Sequence, residues 1–367
     1  MRPGLRLLWA VVAATMLAGC NLSYITRGAY EEARILWNRR PIPQVIANPE
    51  LAPEIRTRLE TVLAVRDFAR DHLGLKTGDA YTTVSPVDTG AIVYVVMAAP
   101  RDSLEPYEWW FPIVGAVPYR GYFNESEARA LAADMEAKGY DTMVRPAVAF
   151  SSLGFFNDPL LSNLLRLDKV ELAGVITHEL FHRTYFLPSN AAFDESAANY
   201  VGTRGAVEFF TQTEGDSAPD TIAARGVFDS DMKFSHFLLQ AQAKLLWIYD
   251  SDLSKDEKMK RREAAFDQIK SDYAKLKPTL SGLERFDLDK EPLNNAVLIN
   301  YLIYFHELDD FAALERMNHG DLRATIERII EIAKANTDDP FYAIWEATRD
   351  APPAQASFDP MTPQPTR

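Results

Sequence analysis

The chain has 367 residues, 47% of them hydrophobic, with 52 acidic against 39 basic side chains and a formal net charge of −13. That apolar share is enough for one large core or two modest ones and excludes disorder as a global state. A surface this acidic repels phosphate backbones, and no basic patch interleaved with aromatic residues offsets it, so nucleic acid is excluded as a partner.

At the N-terminus, Arg2 and Arg6 precede an apolar run from Leu7 to Leu17, which ends in Leu17-Ala18-Gly19-Cys20. A positive start and a short apolar segment predict a signal peptide over residues 1–19. The run falls short of the roughly 18 to 20 apolar residues that a membrane-spanning helix requires. Cys20 is the single cysteine, which excludes an internal disulfide, a cysteine-rich metal cluster and a cysteine nucleophile in the folded body. Leu-Ala-Gly-Cys resembles the lipobox of bacterial lipoproteins. The resemblance implies cleavage before Cys20 and acylation of its thiol and its new amino group, so that the protein is held on a membrane through lipidated Cys20. Several acyl chains, at about 0.8 kcal/mol per buried CH₂, anchor far more firmly than one. The alternative is an ordinary secretory signal that happens to end in cysteine. By resemblance to Gram-negative sorting rules, Asn21 in place of an aspartate implies a cell-envelope lipoprotein of the outer membrane, facing the periplasm.

Residues 20–48 read as a lipidated N-terminus and linker, with helical spacing from Ala29 to Asn38 before Pro41 and Pro43. A second helix is predicted from Pro49 to Leu75, with Ile55, Leu59, Val62, Leu63, Val65 and Phe68 on one stripe. From about Ala80 to Phe150 the pattern turns toward β structure. Candidate strands are Tyr81 to Val84, Ala91 to Val96, Trp109 to Phe111 and Thr142 to Val144, interrupted by a helix from Ser126 to Lys138 capped by Asn124. Beyond Phe150 the spacing is helical over Lys169–Phe186, Glu195–Thr211, Met232–Tyr249, Lys255–Lys275, Asn294–Glu307 and Asp321–Ala335. No internal repeat is present. The predicted fold is α+β and predominantly α-helical. One domain spans residues 49–350, with its β region at about 80–150 and its active-site and C-terminal helices at about 158–348. The proline-rich stretch 351–367 is expected to be a disordered tail.

The chemistry concentrates at His178-Glu179-Leu180-Phe181-His182. Asp168 and Glu171 form a near capping box that starts a helix upstream of it. On that helix His178 and His182, four residues apart, project from one face and can share one ion, while Glu179 lies about 100° round from His178. From there it can reach a water on the ion without being a ligand. A catalytic zinc takes three protein ligands and keeps a position for water, so a third is needed. Glu195, at the start of the next predicted helix, is the candidate, with Asn199 on the same face as a supporting partner. With six histidines in the chain, a chance match to His-Glu-x-x-His is expected on the order of once in a hundred such sequences. The alternative is an amphipathic helix whose histidines cap a polar groove.

In such a site one Zn²⁺ held by His178, His182 and Glu195 would lower the pKa of a water toward about 7, and Glu179 would carry the proton to the leaving amine. A further donor should stabilise the oxyanion. Tyr301, Tyr304, His306 and His236 lie in later helices as candidates that the sequence does not rank.

With these residues placed, the chain resembles the glutamate-ligand zincins, and within them a family of bacterial lipoproteins described as zinc-dependent aminopeptidases. Trp110 to Phe123, Ser151 to Pro159 and Asn294-Asn295-Ala296 carry the same resemblance, which runs from about Tyr24 to Ala335. It implies a zincin-like fold and a peptide substrate. In the aromatic segment, Tyr119 and Tyr122, and later Tyr301, are candidate substrate contacts, and Trp109 to Phe123 is a candidate edge for a peptide backbone. A turn-rich core hairpin is the competing reading. Three departures stand out: the twelve-residue gap before Glu195 is short, Asn199 stands where many relatives place aspartate, and no Gly-x-Met-Glu-Asn segment is present. An aminopeptidase also needs an acidic group for the substrate ammonium; Asp194, Asp158 and Glu108 are unranked candidates. The sequence leaves two readings: a zinc peptidase with Glu179 as general base, or a non-catalytic zincin-fold lipoprotein acting as a binding or assembly module. Hydrolysis of other amides is not distinguished from the first, and the oligomeric state is not readable.

Overall fold

A computed structural model describes residues 22–87, 93–111, 114–147, 157–282, 286, 288–289 and 292–351. The predicted signal peptide, Cys20, Ala91-Ile92, Pro112-Ile113, the segment Ser151 to Phe156 and the tail from Pro352 onward lie outside the described residues. Among those described, no helix is long and apolar enough to cross a membrane.

Helix α1 (Leu22–Trp37) leads through β1 (Arg40–Pro41) and α2 (Ile42–Ile46) to α3 (Pro53–Asp71). Pro53 begins α3 because its fixed φ suits a first helical turn, and Leu59, Val62, Val65 and Phe68 form the buried stripe. The β region follows as β2 (Thr83–Ser85), β3 (Val93–Pro100), β4 (Trp109–Phe111), β5 (Gly115–Val117) and β6 (Tyr119–Tyr122). Helix α4 (Glu125–Ala137) separates β6 from β7 (Tyr140–Ala147), and β8 (Leu160–Leu161) runs into a 3-10 turn at Ser162–Arg166. The Asn124 side chain accepts from Ser126 N and caps α4, as its sequence predicts.

Three small sheets result. β3 is central in one, antiparallel to both β6 and β7, with Val95 opposite Gly121 on one side and Arg145 on the other. Its alternation decides the layers. Val96 packs with Ala128 and Ala132 of α4, whereas Val95, Met97 and Ala99 turn into the main core. β4 and β5 form a hairpin, and β2 pairs with β1 and β8.

The remainder is helical: α5 (Lys169–Thr184), α6 (Ala191–Glu214), α7 (Pro219–Tyr249), α8 (Lys255–Leu276), α9 (Asn295–Phe305), α10 (Leu308–Met317), α11 (Leu322–Ala335) and α12 (Pro340–Thr348). α5 and α6 pack on each other, α7 and α9 pack on α6, and α9 also lies against β3 and β7. An aromatic cluster around Phe234, with Phe286, Tyr301 and Phe305 within 4.7–5.4 Å ring to ring, welds α7 to α9. The chain is therefore α+β and mostly helical, as expected.

Candidate metal centre

The α5 helix begins where its capping residues place it. Glu171 N donates to Asp168 Oδ1 at 2.8 Å and Asp168 N donates to Glu171 Oε2 at 3.3 Å, a reciprocal cap worth about 1 kcal/mol. Its last turns carry His178, Glu179 and His182. After Tyr185 the chain turns, and the Asp194 carboxylate accepts from Leu187 N at 3.0 and 3.2 Å, tying the turn to the first turn of α6. Glu195 follows directly. Close approach of the two helices is set by missing side chains: a Cβ at Gly202 would lie 2.8 Å from Gly174 O and 3.0 Å from His178 Cβ. A Cβ at Gly205 would lie 2.7 Å from Thr177 Cγ2.

This packing brings three donor atoms to one point. His178 Nε2 and His182 Nε2 are 3.1 Å apart, and Glu195 Oε2 is 3.2 Å from the first and 3.3 Å from the second. The group is the one set of three among the described residues with metal-binding spacing. Two imidazole nitrogens facing one carboxylate at this range need a cation or a shared proton between them, and a pair of imidazoles with a carboxylate is a donor set that fits a divalent transition metal.

The electrostatics follow from burial and pairing. Burial works against charge on His182, but the Glu195 carboxylate beside it, together with Glu179, pushes its pKa up to about 9. Burial opposes charge on Glu195 as well, yet His182 and the hydrogen bond to His178 outweigh it and hold the carboxyl well below the usual range. Glu179 goes the other way: burial raises it, only partly offset by the two imidazoles. Its Oε2 atom is shielded from solvent and has no hydrogen-bond partner, and neither has His182 Nδ1. An unpaired carboxylate oxygen shielded beside two histidines is poised to take a proton.

The site opens into a cavity of about 1030 Å³ between the β3–β6–β7 sheet, the β4–β5 hairpin and helices α5, α6 and α9. Tyr119 lines it, buried enough to raise its phenol and close enough to feel Glu195, Tyr304 and Arg145. Tyr304 also lines it, with its ring stacked 6.4 Å from that of His178. Burial, then Glu195, pushes the Tyr304 hydroxyl far above its ordinary value, so it stays a hydrogen-bond donor. Tyr301 reaches the cavity wall but packs its edge on Phe234 at 5.4 Å. Tyr122 lies on the opposite face of β6, against the small cluster of Val96 and α4, and is not part of the wall; the strand's alternation separates it from Tyr119 by direction. Asn199 lines the cavity one turn beyond Glu195 and donates to Asp231 Oδ2 at 3.5 Å.

The remaining candidates separate. His236 pairs with Asp309, and His306 sits edge-on to Phe341 at 4.8 Å; neither lines the cavity. Of the acidic groups proposed for an ammonium, Asp194 is at the site but is occupied by Leu187 N and pushed by burial up to about 8. Glu108 is exposed on β4's approach and Asp158 is buried outside the cavity wall. Sequence reading missed Arg145, Asn300 and the two glycines of the α6 interface. Gly202 and Gly205 did carry a signal, as small residues three and six positions beyond Asn199.

The hairpin is pinned to this site. Ser189, in the turn between α5 and α6, donates its backbone N–H to Val114 O at 3.1 Å and accepts from Ala116 N at 3.1 Å through its hydroxyl. Gly115, at φ +76°, has room for no side chain, because a Cβ there would run into Ser189 Oγ.

Comparison with known proteins adds the last observation. No curated protein and no solved structure matches the chain. The family model described as "Putative aminopeptidase" matches residues 23–340, which includes every residue of the metal-binding group and of the cavity wall. The chain belongs to this family.

Proposed function

We propose that the protein is a zinc-dependent peptidase, anchored to the periplasmic side of the outer membrane through lipidated Cys20. The observation that carries the catalytic part is the convergence of His178 Nε2, His182 Nε2 and Glu195 Oε2, with the unpaired Glu179 carboxylate beside them in a cavity large enough for a peptide. The matched family supports peptide hydrolysis. When bound, zinc supplies Lewis acidity, polarising a carbonyl and acidifying a coordinated water.

The chain's own residues do the rest. His178, His182 and Glu195 hold the ion, on two helices kept close by Gly202. Glu179 Oε2 accepts a proton from the attacking water and hands it to the leaving nitrogen; a carboxyl raised by burial is a better base than an exposed one. Tyr304, held protonated by its surroundings, donates a hydrogen bond from its hydroxyl to the oxyanion as charge develops. Tyr119 walls the cavity opposite and excludes water.

Zinc content and hydrolysis of aminoacyl and internally quenched peptides test this directly. The parent is expected to bind one zinc and to cleave. Glu179→Gln should keep the zinc and lose about 10²–10⁴-fold in kcat. A protein that binds no zinc, or whose hydrolysis is unchanged by Glu179→Gln, would instead be a binding module on the same fold.

A further inference from the structure

We propose that Arg145 forms a carboxylate-binding subsite in the same cavity, so that the ligand it takes is a peptide bearing a carboxylate within a few residues of the metal group; this rests on the peptidase reading above. Arg145 stands on β7 and is the only lysine or arginine among the described residues of the cavity wall. Its guanidinium is partly buried and is held by neutral groups: Nε donates to Asn300 Oδ1 at 2.8 Å and Nη2 donates to Tyr304 OH at 3.2 Å. Among the described residues no carboxylate pairs with it, in a chain where acidic side chains outnumber basic ones by 52 to 39. Two arginines buried more deeply in this fold have carboxylate partners. Arg262 pairs with Asp141 and Arg204 with Glu315.

A partly buried cation fixed by two neutral acceptors and left without an anion is unfavourable unless something supplies one. The two bonds also orient it. They occupy Nε and one hydrogen of Nη2, which leaves the Nη1 and Nη2 end of the fork for a bidentate acceptor. The subsite is also within reach of the chemistry. Arg145 Cζ lies 5.7 Å from the Tyr304 ring, and that ring lies 6.4 Å from the His178 ring. Those two steps together span at most about three to four residues of extended chain at ~3.3–3.6 Å each. The cavity's own carboxylates serve other ends. Asp194 holds Leu187 N, Glu171 caps α5, Glu195 faces the histidines, and Glu179, the proposed base, makes no bond to Arg145. The carboxylate recognised is either the C-terminus of a short peptide or an acidic side chain of a longer one.

Binding to the zinc-loaded full chain carrying Glu179→Gln separates these sources without turnover. Three probes are titrated by calorimetry: tri-alanine as the free acid, tri-alanine amide, and Ala-Ala-Glu amide. A free-acid preference on the order of tenfold to hundredfold over the amide, abolished by Arg145→Gln and only weakened by Arg145→Lys, is the expected result. A preference for Ala-Ala-Glu amide with the same Arg145 dependence assigns the carboxylate to a side chain and keeps the subsite. Equal affinity for all three probes, or a preference that persists in Arg145→Gln at unchanged zinc content, overturns it. Parent kcat/KM on the same peptides keeps the two readings apart. Arg145-dependent binding without hydrolysis removes the peptidase and leaves the subsite; equal hydrolysis of acid and amides does the reverse.

Discussion

Substituting Gly174 and Gly202, two of the glycines at the α5–α6 contact, should move stability in opposite directions. A Cβ added at Gly174 would meet Gly202 O at 3.9 Å, an ordinary contact. Gly174→Ala should therefore gain the helix-propensity difference, about 0.5–1 kcal/mol. The same change at Gly202 brings a methyl to 2.8 Å from Gly174 O and 3.0 Å from His178 Cβ. Neither neighbour is the free end of a side chain, so the helices themselves must part by a few tenths of an ångström. Overpacking of this kind costs about 1–3 kcal/mol, and the propensity gain returns about 1, which leaves a net loss of roughly 0–2 kcal/mol. The displacement matters more than the energy. It falls between His178 and Glu195 and exceeds the roughly 0.2 Å tolerance of metal–ligand distances, so zinc affinity should drop about tenfold. Urea unfolding of the metal-free chains and zinc competition with a chromophoric chelator measure the two effects. If Gly202→Ala proved as stable as Gly174→Ala and held zinc like the parent, the close approach described for these helices would be wrong.

Other consequences follow from the same site and from the core around it. Because the metal-free His182 has its pKa pushed up to about 9, the site at pH 7 holds a proton that zinc must displace. Zinc affinity should rise from pH 6 to 9, with about one proton released at pH 7, read as a buffer-dependent binding enthalpy; equal enthalpies in all buffers would contradict it. The same shift fixes the sign of apo stability. A histidine raised from 6.5 to about 9 contributes stability present below pH 6.5 and lost as pH climbs through 9. Asp194, raised to about 8, adds a loss in the same direction, so the metal-free protein should melt at lower temperature at pH 9 than at pH 6.5. Tyr304→Phe should lower kcat by about 10²–10³ with little change in KM, and a pure KM effect would reassign the hydroxyl to ground-state binding. Glu315→Ala strands Arg204 and Tyr200, both bonded to that carboxylate, and is expected to cost about 3–5 kcal/mol in denaturant unfolding.

The parts of this molecule that local chemistry dictates were legible in the chain. α5 begins at the Asp168 box, α4 at Asn124 and α11 after Asp321, each where a short polar side chain satisfies the first free N–H groups. The His178, His182 and Glu195 set was readable because one helical repeat and one turn fix it. What needed the folded chain is what arises between distant segments. α7 starts at Pro219, well before the Met232 of the apolar pattern, because buried Thr221, Ser230 and Asp231 hide its stripe. The predicted helix ending at Glu307 stops at Phe305, where Glu307 turns left-handed at φ +49° and a separate α10 begins. β5 and β6 were not among the separate candidate strands, because Gly115, Pro118 and Gly121 break the alternation there. Tyr122 was grouped with Tyr119 by proximity in sequence, although a strand sends alternate side chains to opposite faces. Arg145 gave no signal at all: its meaning lies in what it does not touch.

Ser189 gives the turn between α5 and α6 a second duty. Surface turns ordinarily tolerate an inserted residue, since nothing but solvent depends on their length. Here one residue joins the spacer between His182 and Glu195 to the aromatic hairpin through bonds on both its backbone and its hydroxyl. The two are geared together. The hairpin cannot swing outward without tugging on the register between His182 and Glu195, and the spacer cannot lengthen without unseating the hairpin. A position that reads in sequence as a connector works as a rivet, and the hairpin residues Phe111, Val114 and Val117 are a fixed jamb of the cleft, not its door.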